Sequence, residues 1–349
     1  MVRQKRGREE KEGICMIWLG IETSCDDTSV ALVKDGREIL ANLISSQIDI
    51  HKIYGGVVPE IASRKHLETI NPLIQEALKI ANIGFGDIDA VAVSNGPGLI
   101  GSLLVGVAAA KTLATTLNIP ILAVNHLPAH IYANFLEDPI PEFPALALLI
   151  SGGHTCLAVM EEHGKFKFLG ETRDDAVGEC YDKSARVMGL PYPGGPEIDR
   201  LAKEGDGKAI KFPRPYMSES KYEFSFSGLK TAVLQYCRKN PDFNLPDTCA
   251  SLQEAISDVV VRKTINAMKD FNLKRLMIAG GVACNSGIRQ KFEFECKKRN
   301  FEFFRPRPIL CTDNAAMVAC CAYHEYNCGK RSDLLLDVYP SASWDGYLK

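Results

Sequence analysis

From Ile17 onward the chain alternates short apolar runs with polar punctuation, and the first three runs, 17–21, 28–33 and 39–45, are each of strand length. Polar turns at 22–27 and 34–36 separate them, so they read as an antiparallel meander. A helical apolar period then covers 60–81, followed by a strand at 90–94 that ends in Asn95-Gly96-Pro97-Gly98. A helix rich in small residues from about 101 to 117 and a strand at 120–124 complete this unit, which closes near Asp138.

A proline-rich link at 139–144 introduces a second unit whose opening repeats the first. Its strand at 145–150 is followed by a hydroxyl- and glycine-bearing turn at 151–155, a strand at 156–160, a hairpin turn at His163-Gly164 and a strand at 166–172. Helices over 176–188 and 249–271, a strand at 275–279 ending in Gly280-Gly281, a helix from about 286, a strand at 301–305 and a last helix opening at Asp313-Asn314 follow. Such an internal duplication predicts an α/β protein of two similar lobes facing each other across a cleft. Ligands in α/β folds bind outside the carboxyl ends of the strands. The expected lobes are 16–138 and 139–324, with 325–349 a candidate completion of the first. Residues 1–15, charged and without periodicity, are set apart as a leader expected to be disordered or to lie upstream of the natural start.

Composition adds little to that picture. A length of 349 residues, 46% hydrophobic and 24% charged, gives ample core for two lobes. The net charge of -2 makes no global case for nucleic acid, although the basic runs 262–275 and 289–299 would be hidden in that sum. Twelve cysteines are scattered, without a CxxC pair or a secretory signal, and read as reduced thiols in a cytoplasmic protein. The longest apolar run, 99–110, stops at Lys111 and is too short to span a bilayer.

The chemistry gathers at His126-Leu127-Pro128-Ala129-His130, where two imidazoles spaced i and i+4 share one helical face and can share one metal ion. The strand at 120–124 delivers the chain to this point, and Pro128 is tolerated in the first helical turn, where its missing N–H costs nothing. The turns 22–28 and 151–155 can each place hydroxyls and backbone N–H groups around a phosphate or carboxylate, and Gly152 and Gly153 let a ligand approach closely. Gly280-Gly281 suits a flat base or ribose. Asp313 has two readings at this point, a metal ligand or the N-cap of the apolar helix it precedes.

Taken together, GIETSCDDTS at 20–29, GPGLIGSL at 96–103, NHLPAH at 125–130, SGGHT at 151–155, DDAVGECYDKSARVMGLPYPGGPEID at 174–199, FSFSGLKTA at 224–232, AGGVACN at 279–285 and TDNAAM at 312–317 resemble a known family. It is the tRNA N(6)-adenosine threonylcarbamoyltransferases of bacterial TsaD type, formerly described as glycoproteases. The family is a branch of the actin-like, sugar-kinase and heat-shock ATPase superfamily, so the resemblance implies two actin-like lobes across a nucleotide cleft. It further implies His126, His130 and Asp313 as ligands of one divalent metal, Fe(II) in the first place and Zn(II) in the second. Leu149, Ile150, Ser151, Gly152, Gly153, Asp182, Gly195, Asp199 and Asn285 would hold the substrate. Cys284, just before Asn285, departs from the small residue that many relatives carry there.

The implied reaction moves the threonylcarbamoyl group of threonylcarbamoyl-AMP to the exocyclic amine of the adenosine 3′ to the anticodon, in tRNAs reading codons that begin with A. ATP, ADP or AMP would fit the same cleft. Glu22 and Asp26, on the facing turn, are candidates for steering the amine or accepting its proton. The implied partners are tRNA, a smaller non-catalytic paralogue of the same fold and a P-loop ATPase, with no membrane. A metalloprotease is disfavoured because a zincin needs a glutamate after the first histidine and this chain has Leu127. An actin-like ATPase or kinase rests on fold analogy alone, and a metal-binding scaffold would be expected to have lost part of the triad.

Overall fold

The structure, a computed structural model, describes residues 15–215 and 221–344, so all of the leader but Cys15 lies outside it. Among the described residues, ten strands form two sheets. The first holds β1 (Ile17–Glu22), β2 (Asp27–Lys34), β3 (Glu38–Ser46), β4 (Ala90–Gly96) and β5 (Ile121–Asn125) in the order β3-β2-β1-β4-β5. The second holds β6 (Ala145–Ile150), β7 (Thr155–Glu162), β8 (Lys165–Glu171), β9 (Arg275–Ala279) and β10 (Glu302–Phe304) in the order β10-β9-β6-β7-β8. Read from the meander edge, the two orders are the same. In each, the first three strands are antiparallel and the last two run parallel to the first. The duplication expected from the repeated strand–turn–strand pattern is therefore a duplication of topology.

Burial explains which strands read cleanly. β6 is buried along its whole length, as a strand covered on both faces must be. At the edge, β8 alternates, with Phe166 inward between the exposed Lys165 and Lys167.

The helices are α1 (Ile48–His51), α2 (Pro59–Ala81), α3 (Ile100–Leu117), α4 (His126–Tyr132), α5 (Val177–Val187), α6 (Gly194–Ala202), α7 (Ser227–Lys239), α8 (Leu245–Asp270), α9 (Ser286–Arg299), α10 (Pro308–Cys311) and α11 (Ala315–Asn327). They form layers with the sheets. One core lies between the first sheet and α2 and α3, with Leu19, Ile74, Val91, Val107 and Ala110 at its centre. A second lies between the second sheet and α5 to α9, built on Leu148, Leu157, Tyr181, Ile256 and Phe292. The third lies between the sheets, where Trp18 and Ala92 of one and Leu149 and Met277 of the other close on α4 and α11.

These two central helices exchange places. Helix α4 follows the last strand of the first sheet yet packs on β6 and β9, and α11 follows the last strand of the second yet packs on β1, β2 and β4. The approach of α11 is close: a Cβ at Gly20 would stand 2.2 Å from Ala315 O, so only glycine fits there. Beyond α11 the chain stays on the first lobe, with Tyr339 N donating to Asn95 O and Gly98 N to Pro340 O.

The apolar run at 99–110 becomes an eighteen-residue helix, α3, that is long and apolar enough to cross a membrane by length and composition. In this fold its inner face, Leu103, Gly106, Val107, Ala110 and Ala114, covers the first sheet and α2.

Candidate metal centre and substrate cleft

Both histidines enter at a strand-to-helix corner. Asn125 ends β5 and caps α4, its side chain accepting from Leu127 N at 2.9 Å, and Pro128 falls in the first turn, where no intrahelical donor is lost. The i, i+4 spacing then brings His126 Nε2 and His130 Nε2 to 3.1 Å. Asp313 arrives from the other half of the chain, with Oδ1 3.2 Å from His130 Nε2 and 3.6 Å from His126 Nε2. The two readings of Asp313 separate cleanly: Asn314 is the cap of α11, its Oδ1 accepting from Met317 N at 3.0 Å, so the Asp313 carboxylate is left to face the imidazoles.

Glu22 stands behind this trio. It is fully buried, and its oxygens take the Ser24 N–H at 2.6 Å, the Ser94 hydroxyl at 2.5 Å and His126 Nδ1 at 2.9 Å. Ser24 Oγ lies 3.2 Å from the same Nδ1. Burial works against charge on His126, but Glu22 and Asp313 outweigh it and raise its pKa to about 9. Burial and the neighbouring His126 charge lower His130, leaving it neutral. Against burial, the His126 charge holds Glu22 and Asp313 below their ordinary values. Two carboxylates thus face one imidazolium.

That arrangement fits a divalent cation. A cation bound there would displace the Nε2 proton of His126, leaving Nδ1–H committed to Glu22 and the Nε2 lone pair facing His130 and Asp313, the carboxylate–histidine–metal relay of metal sites. The ligand atoms of His126, His130 and Asp313 all lie within 4.8 Å of one another. Two neutral imidazoles and one carboxylate suit Fe(II) or Zn(II) with positions left for substrate.

The expected substrate residues fall into smaller groups. Leu149 and Ile150 are buried with their side chains in different cores, so only their backbone can meet a ligand. Ser151 closes its own turn, its Oγ accepting from His154 N at 3.1 Å. Gly152 and Gly153 are exposed, and a Cβ at either, or at Gly281, would meet nothing within 4 Å. Bare backbone faces open space at both strand ends, as a ligand cradle requires.

Asp182 accepts from Gly194 N at 2.7 Å and also holds Gly195, fastening the start of α6. Asp199 takes both N–H and hydroxyl of Ser286 at 3.0 and 2.8 Å. Asn285 caps α9 through Ile288 N and donates to Gln253 Oε1 at 2.7 Å, so both its side-chain atoms are engaged within the protein. Asp26 is half-exposed at the tip of its turn, whereas Glu22 is closed off from any substrate. Glu22 is therefore a positioning residue for His126.

Sequence reasoning passed over Ser24, Ser94 and His154. Burial and the two site histidines push the His154 imidazole down to about 4, keeping it neutral beside the triad. Also missed was Asp174, which accepts from the backbone of Phe226 and Ser227 and the hydroxyls of Ser225 and Ser227, tying the loop before α5 to the start of α7. Both residues lie in stretches singled out for their likeness to the family, SGGHT and DDAVGE, but no local spacing marks either one.

A duplicated α/β fold with a His-His-carboxylate group between its lobes that could hold a metal defines a protein of the actin-like class. The chain belongs to the TsaD family, tRNA N6-adenosine threonylcarbamoyltransferase, whose sequence model matches residues 38–320. It is 54% identical over 308 residues to the tRNA N6-adenosine threonylcarbamoyltransferase of Geotalea uraniireducens (strain Rf4), covering 87% of this chain and 90% of that one. With the protein of the same name from Clostridioides difficile (strain 630) it shares 50% over 330 residues, covering 93% and 98%. Among solved structures it is similar to full-length HypF in the phosphate- and nucleotide-bound form, with a TM-score of 0.59 at 12% identity, covering 91% of this chain and 47% of that one. Component A of (R)-2-hydroxyglutaryl-CoA dehydratase from Acidaminococcus fermentans gives a TM-score of 0.52 at 17% identity, covering 90% and 100%. These two likenesses bear on the fold alone.

Proposed function

We propose that this enzyme, in the cytoplasm, transfers the threonylcarbamoyl group of threonylcarbamoyl-AMP to the N6 amine of the adenosine 3′ to the anticodon, in tRNAs reading codons that begin with A. The observation that carries the reading is the triad of His126, His130 and Asp313, backed by buried Glu22, in a chain of this family. The amine nitrogen forms a bond to the carbamoyl carbon, the carbon–oxygen bond to phosphate breaks, and AMP leaves with the electron pair. A bound Fe(II) or Zn(II) would supply Lewis-acid polarisation of the threonylcarbamoyl group.

The chain's own residues supply the rest. Glu22 fixes the His126 tautomer, and the open backbone at Gly152, Gly153 and Gly281 is suited to the phosphate and the nucleoside through N–H groups. Asp182, Asp199 and Asn285 hold the helix starts and turns that would surround it. Of the two acidic candidates in the facing turn, Asp26 would receive the amine proton, because it is half-buried where Glu22 is fully buried. The partners proposed are tRNA, a smaller paralogue of the same fold and a P-loop ATPase.

The test is incubation with tRNA transcript, ATP, threonine, bicarbonate, the adenylate-forming enzyme and both partner proteins, followed by nucleoside mass analysis. Threonylcarbamoyladenosine that depends on this chain is the expected product. Its absence with all components present overturns the reading.

A further inference from the structure

A cavity of about 610 Å³ lies apart from the metal cleft, between the last residues of the first lobe and the free edge of the second sheet. The short helical turn Ala133–Leu136 after α4, the edge strand β10 and the last turn of α9 contribute its walls. None of its lining residues belongs to the metal triad or to the expected substrate set. Its volume falls within the roughly 300–1,000 Å³ of small-ligand sites.

Asn134 in this wall is 2% exposed, and its Nδ2 donates to Ile131 O at 3.1 Å and to Ile278 O at 3.2 Å. The second bond has a structural reason, because β10 stops at Phe304 and Pro306 has no N–H with which to meet the end of β9. Two carbonyls fix which way the amide points, since reversing it would set oxygen against oxygen. Its oxygen is then left buried, with no hydrogen-bond partner among the described residues. Buried acceptors are rarely left so, and this one calls for an N–H or O–H donor from whatever fills the cavity.

The lining carboxylates are already matched. Arg307 Nε stands 2.9 Å from Glu137, Arg37 Nη2 2.5 Å from Asp138 and Arg305 Nε 3.3 Å from Glu293. Lys297, exposed in the last turn of α9, has no carboxylate partner among the described residues. An unspent acceptor and an unspent cation thus line one cavity, with partly buried Phe301 and Phe303 as its apolar wall.

We propose that the cavity is a second binding site, for a free amino acid or short peptide with an apolar side chain. Its N–H donates to Asn134 Oδ1, its side chain lies on Phe301 and Phe303, and its carboxylate pairs with Lys297. A plain cation would meet Lys297 as a like charge, and a plain anion would leave the Asn134 oxygen unmet. A zwitterion with an apolar body answers all three features. Such a site is independent of the transferase reading, and either can fail without the other.

The test is calorimetric titration of the full-length protein with leucine, dileucine, trileucine and trileucine methyl ester. Saturable binding at one site per chain is expected. Leucine binding tightest identifies a free amino acid as the class taken, and trileucine binding tightest identifies a peptide. Esterification and Lys297→Glu should each weaken binding roughly fivefold or more, the worth of an exposed charge pair. Asn134→Leu should abolish it, and the exposed Lys297 variant decides alone if the buried one does not fold. Asp313→Ala should leave the affinity unchanged, because the cavity is separate from the metal ligands. Binding lost in the Asp313 variant would put the carboxylate on the metal and overturn the proposal. So would no binding at millimolar concentration, or binding indifferent to both the ester and Lys297→Glu.

Discussion

Asp313 and Asn314 are adjacent in sequence and divide two tasks that either residue type could perform. The carboxylate faces two imidazoles and the amide caps a helix. Asn314→Ala should cost roughly 1 kcal/mol of stability, the ordinary worth of a cap, and leave bound metal unchanged. Asp313→Ala should do the reverse, with metal by elemental analysis falling steeply and the melting temperature little altered. If instead the Asp313 variant keeps its metal, the three-ligand site is wrong. Glu22→Gln tests the residue behind the ligands. It retains shape but loses the charge that holds the His126 Nδ1 proton, so metal affinity should fall about 10- to 100-fold, read by competition with a chelator. The histidine pair was legible from its i, i+4 spacing and Asp313 only through the family resemblance, and the supports behind them were not legible. Ser94 lies 72 residues from Glu22 in the chain, and nothing in either segment alone pairs them.

At the scale of elements, the strands were legible as short apolar runs between polar turns or, at the edge, as the alternation of β8. Helices α6 and α7 were not. Gly194-Gly195-Pro196 reads as a turn in isolation, and what makes it a helix start is Asp182, twelve residues upstream, accepting the Gly194 N–H. Helix α7 buries only Leu229 and Val233 fully, too few for a helical period to stand out. The start of α8 at Leu245 rather than 249 follows from the Asn244 cap and Pro246 in the first turn, a pairing easily taken for a loop. One junction of elements carries a pH prediction. His163, in the β7–β8 hairpin turn, stacks on His324 of α11 with ring centroids 3.7 Å apart, and Tyr132 of α4 stacks on both. Burial lowers His163 to about 4, and burial with the facing His163 lowers His324 to about 3, from an ordinary 6.5. The unfolded chain therefore binds these protons first, so stability contributed by the neutral pair is present above pH 6.5 and is lost as pH falls toward 4. His324→Phe keeps a ring in the stack and should flatten the pH dependence of the urea midpoint over that window. An unchanged slope would rule the pair out as its source.

At the scale of the whole molecule, folding leaves large apolar side chains exposed on the outer helices of the first lobe, among charged ones. Ile100 and Leu104 of α3 are 60% and 49% exposed and Leu67 of the adjoining α2 is 63% exposed, a strip suited to another protein rather than to water. The small-residue character of α3 was legible, but its division into a buried and an open face was not, because small residues alternate too weakly to show a side. Ala108 lies on the open face. Ala108→Phe should abolish association with the smaller paralogue in size-exclusion chromatography and leave the melting temperature of the free chain unchanged. Retained association would remove α3 from the interface.

The exchange of α4 and α11 also governs how this molecule comes into being. A nascent chain completes β5 about 200 residues before α11 is finished, an interval of roughly ten to forty seconds at ribosomal rates. Throughout it, the face of β1, β2 and β4 that α11 will cover stands bare, with Trp18, Ala31 and Ala92 open to any other apolar surface. The amino-terminal half can form its strands early but cannot seal them, and that apolar face is covered only when α11 emerges.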